Sequence, residues 1–318
     1  MFDVFSISIR VFVAAVLFLA AAAASPAQTN RLIDDCISSA VLAANRAFHV
    51  YLPPSYAQKH TRRYPVLYVQ DGQNVFTSAG TNVSFGWGNW ALDRTADELI
   101  RAGQMQEIIM VATDNGARRL EEYSGHIPSP DSTNSAASRS GAPFERYAQF
   151  LITELKPRID RTYRTRRDPA DTGVMGSSLG GICSLALAWE HPEVFGRAAC
   201  LSGSFQIEHE YFLNSVLRGY HGKPKPIRIY LDSGVMDFTG GDDNRRLTSE
   251  VAAEFRRIGW KNNLEYFVDA LPATDAEMSA NGLRRDHWPE ARHSQHNEFY
   301  WRLRAWRALV FLFGTSGT

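Results

Sequence analysis

The chain of 318 residues lacks an excess of charge of either sign. Lys and Arg together number 34, Asp and Glu also number 34, and the formal net charge is zero. No basic tract and no acidic tail departs locally from this balance, and no internal repeat is visible. The sequence therefore points neither to a nucleic-acid partner nor to an anionic membrane surface.

Cysteine is also scarce. Cys36, Cys183 and Cys200 are an odd number of thiols, so at most one disulfide can form. Cys183 and Cys200 fall within apolar segments, and we expect both to be small core residues. No group of Cys and His residues has the spacing of a metal site, and we predict neither a metal nor a cofactor.

No apolar run reaches the roughly 20 residues that a membrane-spanning helix needs. The longest follows Arg10 from Val11 to Ala24, and Ser25-Pro26-Ala27 follows it with small residues suited to signal peptidase. A membrane anchor is the rival interpretation. We expect residues 1–27 to be a cleaved export signal, residues 28–318 to form one domain, and the protein to be periplasmic or secreted without stable membrane insertion after cleavage.

Short apolar runs alternate with helical segments along the rest of the chain. Strands are predicted at Phe48–Leu52, Pro65–Val69, Ile108–Ala112, Asp171–Met175, Ala198–Leu201, Ile227–Leu231 and Leu264–Val268. Helices are predicted at Trp90–Arg101, Pro143–Ile159, Leu179–Glu190, Arg245–Ile258 and Asn297–Phe313. This alternation predicts an α/β fold with a mostly parallel central sheet and helices on both faces.

The most informative motif is a Gly-x-Ser-x-Gly pattern centred on Ser178. Gly176 and Gly180 flank the serine, with a predicted strand before it and a predicted helix after it. In a nucleophile elbow, a sharp strand-to-helix turn exposes the serine, and small neighbours avoid collisions across the turn. The context therefore predicts that Ser178 is a catalytic nucleophile, whereas the pentapeptide alone fits a Gly/Ser-rich connection equally well.

In the α/β-hydrolase fold the nucleophile is followed along the chain first by an acid and then by a histidine. Four aspartates follow the strand that ends near Leu231, namely Asp232, Asp237, Asp242 and Asp243. Asp232 ends the strand itself, whereas Asp237 lies in the following loop, where a carboxylate can turn toward a histidine. We predict Asp237 as the acid, with the others as alternatives.

Three histidines follow the last predicted strand, namely His287, His293 and His296. His296 directly precedes the C-terminal helix, and the turn before that helix can bring an imidazole over the elbow. We predict His296 as the general base, with His293 as the alternative.

Two backbone N–H groups are expected to stabilise the negative oxygen of an acyl-transfer intermediate. One is that of Leu179, immediately after the nucleophile and at a helix N-terminus. The other candidate is that of Gln73, in the loop after an early strand, where Gly72 would let the backbone approach a substrate. An ordinary Asp-Gly turn is the alternative interpretation of that loop.

Several further segments, in order along the chain, resemble the putative-esterase family of α/β-hydrolases. They are Val50–Tyr56, Tyr64–Phe76, Arg118–Tyr123, Met175–Gly181, His191–Phe195, Leu201–Phe205, Tyr230–Gly234 and His296–Trp301. The family includes enterochelin-type siderophore esterases, feruloyl and acetyl-xylan esterases, S-formylglutathione hydrolases and mycolyltransferases. The resemblance implies the α/β-hydrolase fold, with Ser178 as nucleophile, His296 as base and Asp237 as acid. The chain departs from the family pattern by a short insertion before the histidine, Ala270–Gln295.

The resemblance implies a serine esterase that hydrolyses a siderophore ester, a feruloyl or acetyl glycan or a similar small-molecule ester through an acyl-enzyme. The predicted signal would export this enzyme. An acyltransferase using the same triad and a non-catalytic ligand-binding scaffold are the alternatives. Arg118 and Arg119 could hold an anionic substrate, although an arginine at this place in the family often tethers the loop. Aromatic side chains that could line a substrate pocket are Trp87, Trp90, Tyr123, Trp288 and Tyr300, although packing in the core or at the surface is the commoner role of such residues.

Overall fold

An eight-stranded sheet forms the centre of the computed structural model, which describes residues 31–126, 142–237, 239–269, 276, 279 and 295–315. Its strands are β1 (Leu32–Ser39), β2 (Ala44–Tyr51), β3 (Val66–Gln70), β4 (Ile109–Thr113), β5 (Thr172–Ser177), β6 (Arg197–Leu201), β7 (Arg228–Ser233) and β8 (Leu264–Val268). Their order across the sheet is β1-β2-β4-β3-β5-β6-β7-β8. Strands β1, β2 and β4 pair antiparallel, and every pairing from β4 to β8 is parallel. The predicted mostly parallel sheet is confirmed.

Helices cover the two faces of this sheet. They are α1 (Leu92–Arg101), α2 (Arg119–Tyr123), α3 (Pro143–Gln149), α4 (Lys156–Thr162), α5 (Leu179–Glu190), α6 (Ile207–Tyr211), α7 (Arg245–Ile258) and α8 (Glu298–Phe313). A π-helical turn, Phe150–Leu155, joins α3 to α4, so the single helix predicted from residue 143 is interrupted. The bounds of α5 and α7 agree with the sequence prediction.

Strands β3, β4 and β5 are buried along their whole length because both faces of the sheet are covered. Successive residues of β3 point to opposite faces, so Val66 and Tyr68 belong to one buried cluster while Leu67 and Val69 belong to the other. Helix α5 packs in the first cluster, and α1 and α8 pack in the second. This packing fixes the carboxyl ends of β3, β5, β6 and β7, where the predicted site residues lie.

Strand β1 was not anticipated from the sequence. It pairs only with β2, at the edge of the sheet, and Asp34 and Asp35 interrupt its apolar pattern. Residues 1–27, proposed as the export signal, lie outside the described residues, as does most of the predicted 270–295 insertion. Within the described residues, no helix combines the length and the apolar character needed to cross a membrane.

Candidate active site

Ser178 occupies a sharp turn between β5 and α5. Its backbone has φ 54° and ψ −124°, a conformation that residues other than glycine rarely adopt. A Cβ atom on Gly176 would overlap the carbonyl of Gly180, and one on Gly180 would lie 2.9 Å from Cβ of Gln70. The two glycines are therefore required by close backbone approach, and the turn has the geometry of a nucleophile elbow.

A continuous hydrogen-bonded chain joins Ser178 to a buried carboxylate. Nε2 of His296 lies 3.0 Å from Oγ of Ser178, and Nδ1 of His296 lies 2.5 Å from Oδ1 of Asp243. The Asp243 side chain is fully buried, and that of His296 is 12% exposed. The three groups have the order and spacing of a nucleophile, a base and an acid that orients the base.

Asp237, the carboxylate predicted from the sequence, lies elsewhere in the same loop. One of its oxygens accepts hydrogen bonds from the backbone N–H groups of Thr239 and Gly241, both at 2.8 Å. These bonds close a turn over residues 237–241, and that turn brings the later Asp243 to the histidine. Asp242 is exposed and accepts a hydrogen bond from the N–H of Arg246. The geometry therefore differs from the sequence prediction and brings Asp243, not Asp237, to His296.

The second carboxylate oxygen of Asp243 is fixed by two hydrogen bonds. Oδ2 accepts hydrogen bonds from the hydroxyl of Ser202 at 2.7 Å and from the N–H of Gly234. The Ser202 oxygen in turn accepts from Nε1 of Trp301 at 3.1 Å and from the guanidinium of Arg304. The Ser202 hydroxyl therefore has its proton directed toward Asp243.

Arg304 connects this network to Asp232. Its Nε donates to Oδ1 of Asp232 at 2.9 Å, and its Nη2 lies 3.8 Å from Oδ2 of Asp243. Burial raises the pKa of Asp232 to about 6, against the lowering effect of the arginine. Asp232, one of the alternative acids, is thus the partner of Arg304. Arg304 was not predicted from the sequence. A charged residue three positions after Trp301, on the apolar face of a predicted helix, is nevertheless a pattern that points to a buried ion pair.

The segment that carries His296 is fixed on both sides of the imidazole. Gln295 donates its N–H to the carbonyl of Met236 at 2.7 Å, and its side chain accepts from the N–H of Val235. After the histidine, the side chain of Asn297 caps α8 by accepting the N–H of Tyr300 at 3.2 Å. His287 and His293, the other candidate bases, lie outside the described residues.

The two predicted oxyanion donors begin helical turns. Leu179 is the first residue of α5, and Gln73 lies in a 3-10 turn, Gly72–Asn74, directly after β3. Neither N–H group donates a hydrogen bond to any residue in the described part of the chain. A Cβ atom on Gly72 would lie 2.6 Å from the backbone of Ala112, so this turn requires glycine for packing against β4.

A salt bridge between Arg119 and Asp71 holds the start of the Gly72–Asn74 turn. Nε and Nη2 of Arg119 lie 2.6 and 2.7 Å from the two carboxylate oxygens of Asp71, and Asn115 also donates to Asp71. Arg119 is thus engaged with a loop carboxylate, as the tethering interpretation expected, while Arg118 is exposed.

Ser178 and His296 open into a cavity of about 810 Å³. Its other lining side chains come mainly from the loops after β3 and β4 and from the start of α8. They are Asp71, Gln73, Asn74, Ser84, Phe85, Trp87, Trp90, Asn115, Arg119, Ser177, Asn297, Glu298 and Trp301. Trp87 and Trp90 therefore line the cavity. Tyr123 and Tyr300 are buried and are absent from its lining, and Trp288 lies outside the described residues.

The carboxyl of Glu298 is partly buried at the start of α8, where it lines the cavity. Burial raises its pKa to about 7, and the negative charge of Asp71 adds to this effect while His296 opposes it. Its Oε1 accepts a hydrogen bond from Nδ2 of Asn74 at 3.3 Å. Sequence reasoning assigned no role to this residue.

Comparison with known proteins agrees with this architecture. The uncharacterized protein YbbA of Bacillus subtilis (strain 168) is 27% identical over 167 residues, which are 52% of this chain and 60% of YbbA. A ferulic acid esterase structure superposes with a TM-score of 0.61 at 18% identity, covering 89% of this chain and 97% of that one. The enterobactin esterase of Shigella flexneri gives a TM-score of 0.61 at 17% identity, covering 88% of this chain and 59% of that one.

The chain thus spans about 60% of the length of YbbA and of the enterobactin esterase. The structural likeness confirms the α/β-hydrolase fold expected from the sequence. A profile of the family described as "Putative esterase" matches residues 39–302, which include Ser178, Asp243 and His296. The chain belongs to this family of α/β-hydrolases, and the resemblance seen in its sequence is confirmed.

Proposed function

We propose that the protein is a carboxylic ester hydrolase that acts through Ser178, His296 and Asp243. The observation that carries this proposal is the hydrogen-bonded chain from Asp243 through His296 to Ser178, at a strained elbow that opens into a cavity. Membership of an esterase family gives independent support. Asp243 replaces Asp237 in this proposal because Asp237 is engaged in its own turn.

The reaction follows from the positions of these groups. Nε2 of His296 takes the proton of Ser178 as its oxygen attacks the ester carbonyl, and the buried Asp243 stabilises the imidazolium that forms. We propose that the N–H groups of Leu179 and Gln73 bind the oxyanion of the tetrahedral intermediate. The intermediate collapses as His296 gives its proton to the leaving alcohol, and water then releases the acid from Ser178 by the same steps.

The substrate proposed is a small-molecule or glycan ester. Aromatic side chains on the cavity walls, among them Phe85, Trp87 and Trp90, support an ester with an apolar or aromatic part. Two of the similar structures are a ferulic acid esterase and an enterobactin esterase, so feruloyl and siderophore esters are the first to test.

Export is proposed on sequence grounds alone. Arg10, the apolar run that follows it and the small residues that close it support a signal cleaved near residue 24 or 27, which leaves a single domain in the periplasm or outside the cell. The measured mass of the protein recovered from a periplasmic fraction tests this. An uncleaved mass in the membrane fraction would instead support an anchor.

The test of the activity compares the purified wild type with Ser178→Ala. We expect the wild type to hydrolyse p-nitrophenyl butyrate and some member of a panel of methyl ferulate, acetylated xylan and enterobactin. Ser178→Ala should lower kcat by about a thousandfold or more, because the nucleophile is lost. Ser215→Ala, an exposed serine outside the cavity lining, is the matched control.

Substantial hydrolysis by a folded Ser178→Ala variant would contradict the proposed nucleophile. Transfer of the acyl group to an added sugar or alcohol in preference to water would favour an acyltransferase. Failure of an organophosphate probe to label Ser178 in the folded wild type would favour a non-catalytic binding protein.

A further inference from the structure

Glu298 lies at the active-site cavity without a part in the proposed relay. It is the first residue of α8 and follows His296 by two positions, so the histidine and the carboxyl are carried into the cavity by one short segment. Nδ2 of Asn74 donates a hydrogen bond to Oε1 of Glu298 at 3.3 Å, which is long for a charged acceptor. Ser84, which also lines the cavity, lowers the pKa of the carboxyl by hydrogen bonding. The carboxyl therefore keeps acceptor capacity for a further ligand.

The remaining charges around the cavity do not neutralise Glu298. The charged or titratable groups that line the cavity with it are Asp71, Arg119 and His296. Arg119 is engaged by both oxygens of Asp71 at 2.6 and 2.7 Å, so this pair is already compensated. Within the described residues, no Lys or Arg lies within 4.0 Å of the Glu298 carboxyl, the distance of an ion pair. Arg119 acts on Glu298 only at longer range, since Glu298 helps to raise its pKa without forming an ion pair. Among the described residues, the cavity thus presents one carboxyl group without a cation in direct contact.

We propose that Glu298 is a specificity-determining residue that contacts the substrate, admitting esters with a neutral or cationic group near the scissile carbonyl and disfavouring those with a carboxylate there. This inference rests on the proposed ester hydrolysis and names the charge class of its substrate. A carboxylate in the substrate would face a like charge in a partly buried site, whereas an ammonium, amide or hydroxyl group could donate to the free lone pairs.

The charge of Glu298 also gives the selectivity a pH dependence. Burial holds its pKa near 7, with Asp71 acting in the same direction and His296 against it. Below that pH the carboxyl is neutral and repulsion of an anionic ester is weak. Above it the carboxylate repels such an ester, so discrimination against anionic esters increases as the pH rises through 7.

Three p-nitrophenyl esters of matched size test the inference. They are the butyrate, the half-ester of succinate and the 3-aminopropanoate, which place a methyl, a carboxylate and an ammonium group at the same distance from the scissile carbonyl. The measured quantity is the ratio of kcat/KM between two esters at each pH from 6 to 8.5, because an effect of pH on the shared catalytic steps applies to both esters and cancels. For the wild type we expect the butyrate-to-succinate ratio to rise by about tenfold over this range.

Glu298→Gln should abolish the rise of the butyrate-to-succinate ratio with pH and should lower the 3-aminopropanoate-to-butyrate ratio. Glu298→Asp should retain the rise because the charge remains. Glu121→Gln, at an exposed position outside the cavity lining, is the control and should behave as the wild type. Equal ratios in the wild type and in folded Glu298→Gln would overturn the inference and leave Glu298 as a residue that stabilises the start of α8.

Two further outcomes are decisive. If Glu298→Gln does not fold, a ratio that stays flat from pH 6 to 8.5 in the wild type overturns the inference by itself. If the wild type hydrolyses none of the three esters and Ser178 is not labelled by an organophosphate probe, the proposed function fails. Hydrolysis that depends on Ser178 without charge discrimination would overturn only the role of Glu298.

Discussion

Replacement of Asp243 by asparagine tests which aspartate acts with His296. The second oxygen of Asp243 meets two donors, the hydroxyl of Ser202 at 2.7 Å and the N–H of Gly234. The Ser202 oxygen already accepts from Trp301 and Arg304, so its proton is directed toward Asp243. An amide oxygen must therefore occupy the second position, and the NH₂ group of the asparagine must face Nδ1 of His296.

This orientation of the amide would change the tautomer of His296. An NH₂ group facing Nδ1 requires an imidazole whose Nδ1 accepts, which leaves the proton on Nε2, the nitrogen 3.0 Å from Oγ of Ser178. Such an imidazole cannot take the serine proton. We expect Asp243→Asn to lower kcat by about ten-thousandfold, the size found when the wrong tautomer is imposed on a serine hydrolase.

The matched control is Asp237→Asn, in the same loop. Its carboxylate accepts from Thr239 and Gly241, and we expect kcat to change by less than about threefold, because that turn can keep an amide acceptor. Initial rates with p-nitrophenyl butyrate, with circular dichroism to verify folding, measure both variants. A folded Asp243→Asn with more than roughly a tenth of the wild-type kcat, together with an inactive Asp237→Asn, would refute the reasoning and restore the sequence-based prediction.

Two further predictions concern stability. Arg304→Met should lower the free energy of unfolding by about 3–5 kcal/mol because it leaves buried carboxylates without their cation, whereas Arg307→Met, on the same helix and partly exposed, should cost less than about 1 kcal/mol. Urea denaturation measures both, and a loss below about 1 kcal/mol for Arg304→Met would contradict the network described here. The pKa of Glu298 is raised from 4.5 to about 7, so the carboxyl binds its proton more tightly in the folded state than in the unfolded state. The protonated carboxyl therefore stabilises the folded state at low pH, and this contribution to the free energy of unfolding is lost as the pH rises from 4.5 to about 7. Relative to Glu298→Gln, the wild type should therefore be less stable at pH 8 than at pH 5 by about 2 kcal/mol, and a difference that does not change with pH would show that the carboxyl is solvated.

The parts of the fold that follow local rules were predictable. Helix α5 is bounded by the glycine-framed Ser178 and by His191-Pro192, and its observed limits, Leu179–Glu190, agree with the prediction. Short apolar runs between turn residues predict the buried strands. Strand β1 is not predicted in this way, because it is an edge strand in which Asp34 and Asp35 keep partial exposure and contact the side chains of His49 and Arg158.

The position of the acid was beyond local rules. The carboxylate beside His296 comes from the loop after β7 in which the acid was predicted, but it belongs to Asp243 and not to Asp237. Nothing in the sequence says which of several aspartates forms hydrogen bonds within the loop itself. Asp237 closes a turn by accepting hydrogen bonds from two backbone N–H groups. Asp243 takes a left-handed backbone conformation, φ 23°, two residues before α7 begins. Arg304 is a similar case, because its partners come from β6, β7 and the loop, three segments distant in the chain.

Helix α8 has a consequence for the biosynthesis of the enzyme. His296 immediately precedes the capping residue of α8, and Trp301 and Arg304 on that helix hold Ser202, which holds Asp243. A nascent chain that has emerged only to residue 297 contains the serine, the aspartate and the histidine but lacks the helix that aligns them. With the proposed triad, we therefore expect activity only after α8 has been made and has docked on the sheet, so that an unfinished chain stays inactive toward esters inside the cell that makes it.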